Sequence, residues 1–275
     1  MLKRMIKPLV FASLITGTLS VQAHRLWILP DVTVLSGEEP AVSFDAAVSN
    51  SIFNFDHVAL RPEGIHITAP DGSEVKPENA SKGKLRTVFD LTMKQEGTYR
   101  VYMSMAGMNA FLKDADGKRH MFPGRGQSAT PDEIKKAIPA DAKELRVVES
   151  YRRAETFVTA GEPSDSVQKI TGKGVELKAL THPNDLYAGE EAEFALMLNG
   201  KPLAGAEVVL IKEGTRYRNS QDEIKLETNK NGEITVNWQG AGRYFMEAEY
   251  KDDKAQAPAT QRSATYTAVF EVLPD

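Results

Sequence analysis

Glu191-Ala192-Glu193-Phe194-Ala195-Leu196-Met197-Leu198-Asn199-Gly200-Lys201-Pro202-Leu203-Ala204-Gly205-Ala206-Glu207-Val208-Val209-Leu210-Ile211 is the stretch on which the fold turns. It holds two strand-length runs, 191–198 and 206–211, with Asn199-Gly200-Lys201-Pro202 as the turn between them. The same design repeats on both sides. Further strand candidates lie at 175–180, 223–228, 233–237, 242–250 and 264–272, and Asn229-Lys230-Asn231-Gly232 supplies another turn. Seven short strands over about 100 residues predict an Ig-like β-sandwich. The Cys-Trp-Cys core of antibody domains is absent from a chain with no cysteine, so the expectation concerns architecture only.

Upstream the pattern is also strands punctuated by turns. Ala41 to Val48 alternates in places with period two. His66-Ile67-Thr68 runs into the turn signal Pro70-Asp71-Gly72, and Leu85–Leu91 and Thr98–Met105 flank Glu96-Gly97. Strands at this spacing read as an antiparallel sandwich or barrel rather than alternating βαβ units. One short helix stands out at Pro131–Ile138, with Thr130 as N-cap and Pro131 at the first helical position. Residues 161–174 combine Gly, Pro and Ser with little apolar content and read as a linker. The expected class is therefore all-β, with two β-sandwich domains. The N-terminal sandwich covers 24–160 and carries the helix; the Ig-like one covers 175–275.

Residues 1–23 read as a signal peptide. Lys3, Arg4 and Lys7 form a positive start, Pro8–Leu19 an apolar run too short to span a bilayer, and Val21-Gln22-Ala23 an A-x-A-like cleavage site. Cleavage there makes His24 the first residue of a periplasmic product without membrane insertion. The sequence has 275 residues, 34 Lys plus Arg and 38 Asp plus Glu. Loss of three basic residues with the signal moves the formal charge from −4 to −7. A mildly acidic surface argues against nucleic acid as a partner. Without cysteine there is no disulfide framework, zinc-thiolate site or thiol nucleophile.

Several motifs combine into a resemblance. They are Ala23-His24-Arg25-Leu26-Trp27, Val148-Glu149-Ser150-Tyr151-Arg152-Arg153-Ala154-Glu155-Thr156-Phe157-Val158, Thr181-His182-Pro183-Asn184-Asp185-Leu186-Tyr187-Ala188-Gly189-Glu190, and Gly200-Lys201-Pro202-Leu203-Ala204-Gly205-Ala206. Together they make the chain similar to the DUF4198 family over nearly the whole mature length. That resemblance implies an exported bacterial protein of the kind described as a periplasmic component of nickel or cobalt uptake, with a membrane metal transporter as partner.

An N-terminal histidine carries two nitrogen donors, its α-amine and ring Nδ1, that close one chelate ring on a metal. Their reference pKa values, about 7.7–8.0 and about 6.5, let a metal displace both protons near neutral pH. Such a histidine brace suits Cu(II) and Ni(II), and also Zn(II); Co completes the expected set of divalent transition metals. One extra residue before His24 abolishes it. A further ligand is required, and His57, in Phe53-Asn54-Phe55-Asp56-His57, is the first candidate. Asp45 and Asp56 are candidate carboxylate ligands or partners that orient an imidazole. His182 stands before Pro183 at the entrance of the second domain, as a ligand or a turn residue. His120 reads as a surface residue and His66 as an ordinary strand residue. Met103, Met105, Met108 and Met121 lie close in sequence, where thioethers favour Cu(I) or fill gaps in a core.

Catalytic signatures are missing. There is no Walker-type spacing, no Gly-x-Ser-x-Gly elbow and no His-Glu-x-x-His pair, and the acidic residues are scattered. Tyr151, Arg152 and Arg153 read as an ion-pairing strand or an anion site. Three readings follow: a non-enzymatic periplasmic metal binder, a metal-free interaction module, and a brace-type copper oxidase. The third also needs an aromatic substrate platform, which a chain with 8% aromatic residues does not display; Trp27 and Trp238 read as core residues.

Overall fold

The computed structural model describes residues 24–114, 116–124 and 126–275. The expected signal segment, 1–23, lies outside the described residues. The first half builds β1 (Arg25–Pro30), β2 (Val34–Leu35), β3 (Ala41–Ser49), β4 (Val58–Ala59) and β5 (His66–Thr68). It continues with β6 (Glu74–Val75), β7 (Glu78–Lys82), β8 (Thr87–Thr92), β9 (Gly97–Lys113), β10 (Arg119–Phe122), α1 (Pro131–Ala137) and β11 (Lys143–Ala160). The second half contributes β12 (Val175–Ala179), β13 (Glu191–Leu198), β14 (Lys201–Pro202) and β15 (Glu207–Lys212). It ends with β16 (Ile224–Glu227), β17 (Glu233–Asn237), β18 (Gly242–Asp252) and β19 (Gln261–Val272).

The protein is all-β and sandwich-like, and its strands fall where turn residues and apolar runs put them. Helix α1 starts as its sequence dictates. The Thr130 side chain accepts from Glu133 N, and the Glu133 carboxylate accepts from Thr130 N in return, a reciprocal cap. Among the described residues, no helix is long and apolar enough to cross a membrane.

Three sheets make the frame. Strands β1-β3-β8-β7, with β4 on β3, form one sheet; β12-β13-β14, with β17 on β13, form another. The third runs β16-β15-β18-β19-β11-β9-β5-β6, with β10 and β2 attached to β9 and β11. This long sheet backs both smaller ones. Ile28, Val42, Phe44, Phe89 and Leu91 pack on Ile67, Val101 and Val158 to form the first core. Phe194, Leu196, Val236 and Trp238 pack with Tyr244, Met246, Tyr266 and Phe270 to form the Ig-like one.

The two sandwiches are therefore not strung on a free linker. Strand β11 pairs in parallel with β19, from Val148↔Gln261 to Thr156↔Val269, so one hydrogen-bonded sheet crosses the expected boundary. Segment 161–174 is tied down as well. Ser164 Oγ accepts from Thr98 N at 2.9 Å, Val167 is buried, and Glu176 accepts from the amides of Thr171 and Gly172. Where the two halves meet, a third core forms from Trp27, Leu29, Ala47 and Ile52 against Ile211, Phe245 and Val269.

Candidate metal site

Strand β1 is buried on both faces. With side chains alternating at period two, Leu26 and Ile28 turn to the first core while Trp27 and Leu29 turn to the seam. Its carbonyl at Leu26 accepts from Thr267 Oγ1 at 2.8 Å. Arg25 then fixes the start of the strand to the second half of the molecule. Its Nε donates to Glu247 at 3.2 Å, its Nη1 to Gln221 at 2.5 Å, and its Nη2 stands 3.7 Å from Glu223. Burial raises the Glu247 pKa, and the Arg25 charge opposes that shift. His24 is thus one peptide bond from a tightly held platform.

The partner histidine arrives on the loop after β3. Trp27 Nε1 donates to Ser49 Oγ at 2.8 Å, and that hydroxyl donates to the Ser51 carbonyl at 2.6 Å. Asp56 accepts from Asn50 N at 2.8 Å and closes the loop on itself. Phe53 and Phe55 place their rings 5.6 Å from the Trp27 ring, and the Arg86 guanidinium covers Phe55 at 4.7 Å. Phe53 takes a positive φ of 57°, a left-handed conformation costly for a side chain of this size and held by that aromatic packing. The loop ends in β4, which returns to pair with β3.

The result is that His24 and His57 stack, their ring centroids 3.8 Å apart and their planes within 9°. Both side chains are exposed. Two imidazole nitrogens bound to one ion at about 2.0–2.1 Å each lie no more than about 4 Å apart, so ring centroids this close bring that separation within reach of the pair. In parallel rings the in-plane lone pairs run side by side. A shared metal therefore calls for a rotation of the exposed His24 ring. Among the described residues, no group of three or more His, Asp or Glu side chains gathers for a metal. The donor set at this position is two imidazoles plus whatever the backbone of His24 offers.

The other candidates are placed elsewhere. Asp45 sits opposite Leu29, four residues along β3 from Ser49, about 13 Å at ~3.3 Å per residue. Arg86 Nη1 lies 3.2 and 3.3 Å from its two oxygens, and burial raises its pKa against the opposing charges of Arg86 and Arg243. It is an ion-paired strand residue and does not join the histidines. Asp56 closes its own loop. His182 is also removed from the site, because both its ring nitrogens are engaged at the junction of the halves. Nδ1 accepts from Asn184 N at 3.1 Å, and Nε2 lies 3.1 Å from Thr98 Oγ1 and 3.3 Å from the Ser164 carbonyl. That arrangement assigns the proton to Nε2. Thr159 continues the network to Asn184, which donates to the Phe157 carbonyl.

His120 is an exposed strand residue paired with Asp114 at 2.7 Å, and His66 lies in β5 against Glu74 and Tyr102. The methionines do not converge either. Met103 packs against the first core, whereas Met108 belongs to a small core with Ala110, Ile134 and Val147 under α1. Arg153 forms the ion pair its strand suggested, donating to Glu155 at 2.6 Å beneath the Tyr266 hydroxyl. Sequence reasoning missed the Arg25 clamp. Its partners lie 196 and 222 positions away, and nothing local marks them.

A family model described as a domain of unknown function, DUF4198, matches residues 21–252. No curated protein matches the sequence. Among solved structures, the D0-D1 domain of intimin is 12% identical, with 90% of this chain and 97% of that chain covered and a TM-score of 0.23. The human OSCAR ligand-binding domain is 14% identical, with 90% and 99% covered and a TM-score of 0.21. A DUF3823 family protein from Bacteroides uniformis is 11% identical, with 92% and 100% covered and a TM-score of 0.23.

Proposed function

We propose that this chain, which belongs to the DUF4198 family, is an exported transition-metal-binding protein that uses His24 as its mature N-terminus. The observation that carries the proposal is the stacking of His24 and His57 at 3.8 Å. These two histidines are 33 positions apart, and the chain spends an aromatic packing cluster and a closed loop to bring them together. With cleavage after Ala23, the His24 amine and ring and the His57 ring supply three nitrogens, a donor set suited to Cu(II), Ni(II) or Zn(II) and open to Co(II). The protein binds and hands over the ion in the periplasm without turning over a substrate, and a membrane metal transporter is its acceptor.

The test is titration of Cu(II), Ni(II), Co(II) and Zn(II) into protein beginning at His24, beside a control with one added N-terminal residue. The expected outcome is tight binding that the added residue abolishes and His57→Ala weakens by at least about ten-fold, the loss of one ligand. Equal binding by the native and extended proteins would overturn the brace. No binding by either would overturn the metal reading.

A further inference from the structure

A groove of about 150 Å³ opens between the loop that carries His57 and the segment after β15. Ser51 and Asn54 form one wall; Thr215, Arg216, Arg218, Asn219, Ser220 and Gln221 form the other. Both walls are tied to the histidine pair. Ser51 accepts from Ser49, which in turn accepts from Trp27, and Gln221 accepts from Arg25, the residue after His24. The lining is polar and cationic, with no acidic residue among the described residues that form it.

The two arginines differ in role. Arg218 is consumed by its own loop: its Nη atoms donate to the carbonyls of Glu213 and Lys212 at 2.7 Å, and its Nε faces Asp222 at 3.2 Å. This bracing holds the loop in shape. Arg216 is exposed and makes no hydrogen bond or ion pair with any other described residue. It shares the groove with neutral polar groups, the amides of Asn54 and Asn219 and the hydroxyls of Ser51 and Thr215, while the Ser220 hydroxyl donates to Asp222 outside the lining. A guanidinium without an ion-pair partner, among neutral polar groups in a small groove, matches a carboxylate. At about 30 Å³ per water, the space equals roughly five waters, enough for a small dicarboxylate.

Resting on the metal reading above, we infer that this groove is a carboxylate subsite, so that the ion is captured with a small chelating carboxylate. Three nitrogens leave at least one position open on a tetragonal ion. In this inference a carboxylate held on Arg216 extends toward it along the wall that Gln221 ties to Arg25, the neighbour of His24.

The test uses malonate, a small dicarboxylate that chelates divalent ions, in three arms: malonate alone, Ni(II) alone, and the 1:1 Ni(II)–malonate complex. Calorimetry is run on the His24-terminated protein, on Arg216→Gln and on Asn219→Asp, which places a negative charge in the groove. Both variants are expected to lose about ten-fold in affinity for malonate and for the complex, the value of one charge-assisted contact. Arg216→Gln is expected to bind Ni(II) alone as the parent does. Equal malonate affinity in parent and variants, or none in the parent, overturns the subsite. Arg216-dependent malonate binding by a parent that takes up no metal supports the groove and removes the metal reading, so the two failures are separable.

Discussion

At the scale of single residues, His57 and His182 show how context divides identical side chains. His57 is delivered to the surface with its ring against His24, while His182 is locked by three hydrogen-bonding partners at the junction of the halves. Burial lowers the His182 pKa, outweighing the opposing effects of the Ser164 carbonyl, Asp165 and Asp185. As pH falls below about 6.5, the unfolded chain takes up this proton before the folded one does, so stability drops from neutral pH through that window. His182→Asn keeps an acceptor for Asn184 N and removes the titration. Urea midpoints measured at pH 7 and pH 5 are expected to move apart less in this variant than in the parent; equal separation would free His182 from that role.

Among the elements, the tight turns do most to set register. Gly232 closes the Asn229–Gly232 turn, its N–H donating to the Asn229 carbonyl while its own carbonyl accepts from Leu196 N, both at 2.8 Å. Its φ of 77° suits glycine, and a Cβ there collides with the Leu196 carbonyl and crowds Leu203 N. Gly232→Ala is expected to destabilise the protein by about 3 kcal/mol in chemical denaturation, from left-handed strain plus the clash. Such turns are the reason the strands were legible: apolar runs and Asn-Gly or Pro-Asp-Gly signals are local, and so is the capping pair around α1. The length of β9 and β11 was not: Lys143–Arg146 at the start of β11 is exposed with no alternation, and the outer part of β9, where Met108, Ala110 and Leu112 are buried in turn, is completed by pairing with β10 and β11.

For the whole molecule, the shared ten-stranded sheet is the governing feature. It joins 148–156 to 261–269 in parallel, a pairing no local window announces, and for that reason the sequence reads as two domains with a linker. The site was legible to a similar depth. An aromatic-rich loop and a histidine at an expected cleavage site marked its two rings, whereas Asp45 and His182 stood as further candidates until topology set them apart. The sheet also predicts cooperative unfolding. Trp27 lies in the seam core and Trp238 in the Ig-like core, each fully buried. In Trp27→Phe and Trp238→Phe, the remaining tryptophan's fluorescence transition is expected to coincide with the circular-dichroism transition of the same variant. Separated transitions in either would show that the halves melt independently.

The clamp on Arg25 also sets the order in which the molecule is finished. Arg25 meets Glu247 222 positions later, and the Leu26 carbonyl meets Thr267 241 positions later, on the strand that closes the sheet between β18 and β11. A chain that grows from its N-terminus holds His24 early, yet the floor beneath it is missing until the last strand arrives. Contacts of such separation form late, because the intervening loop must close before they repay its entropy. A histidine pair on a held base is therefore a property of the finished chain: fragments that stop short of β19 carry both rings without the contacts that hold β1 in place.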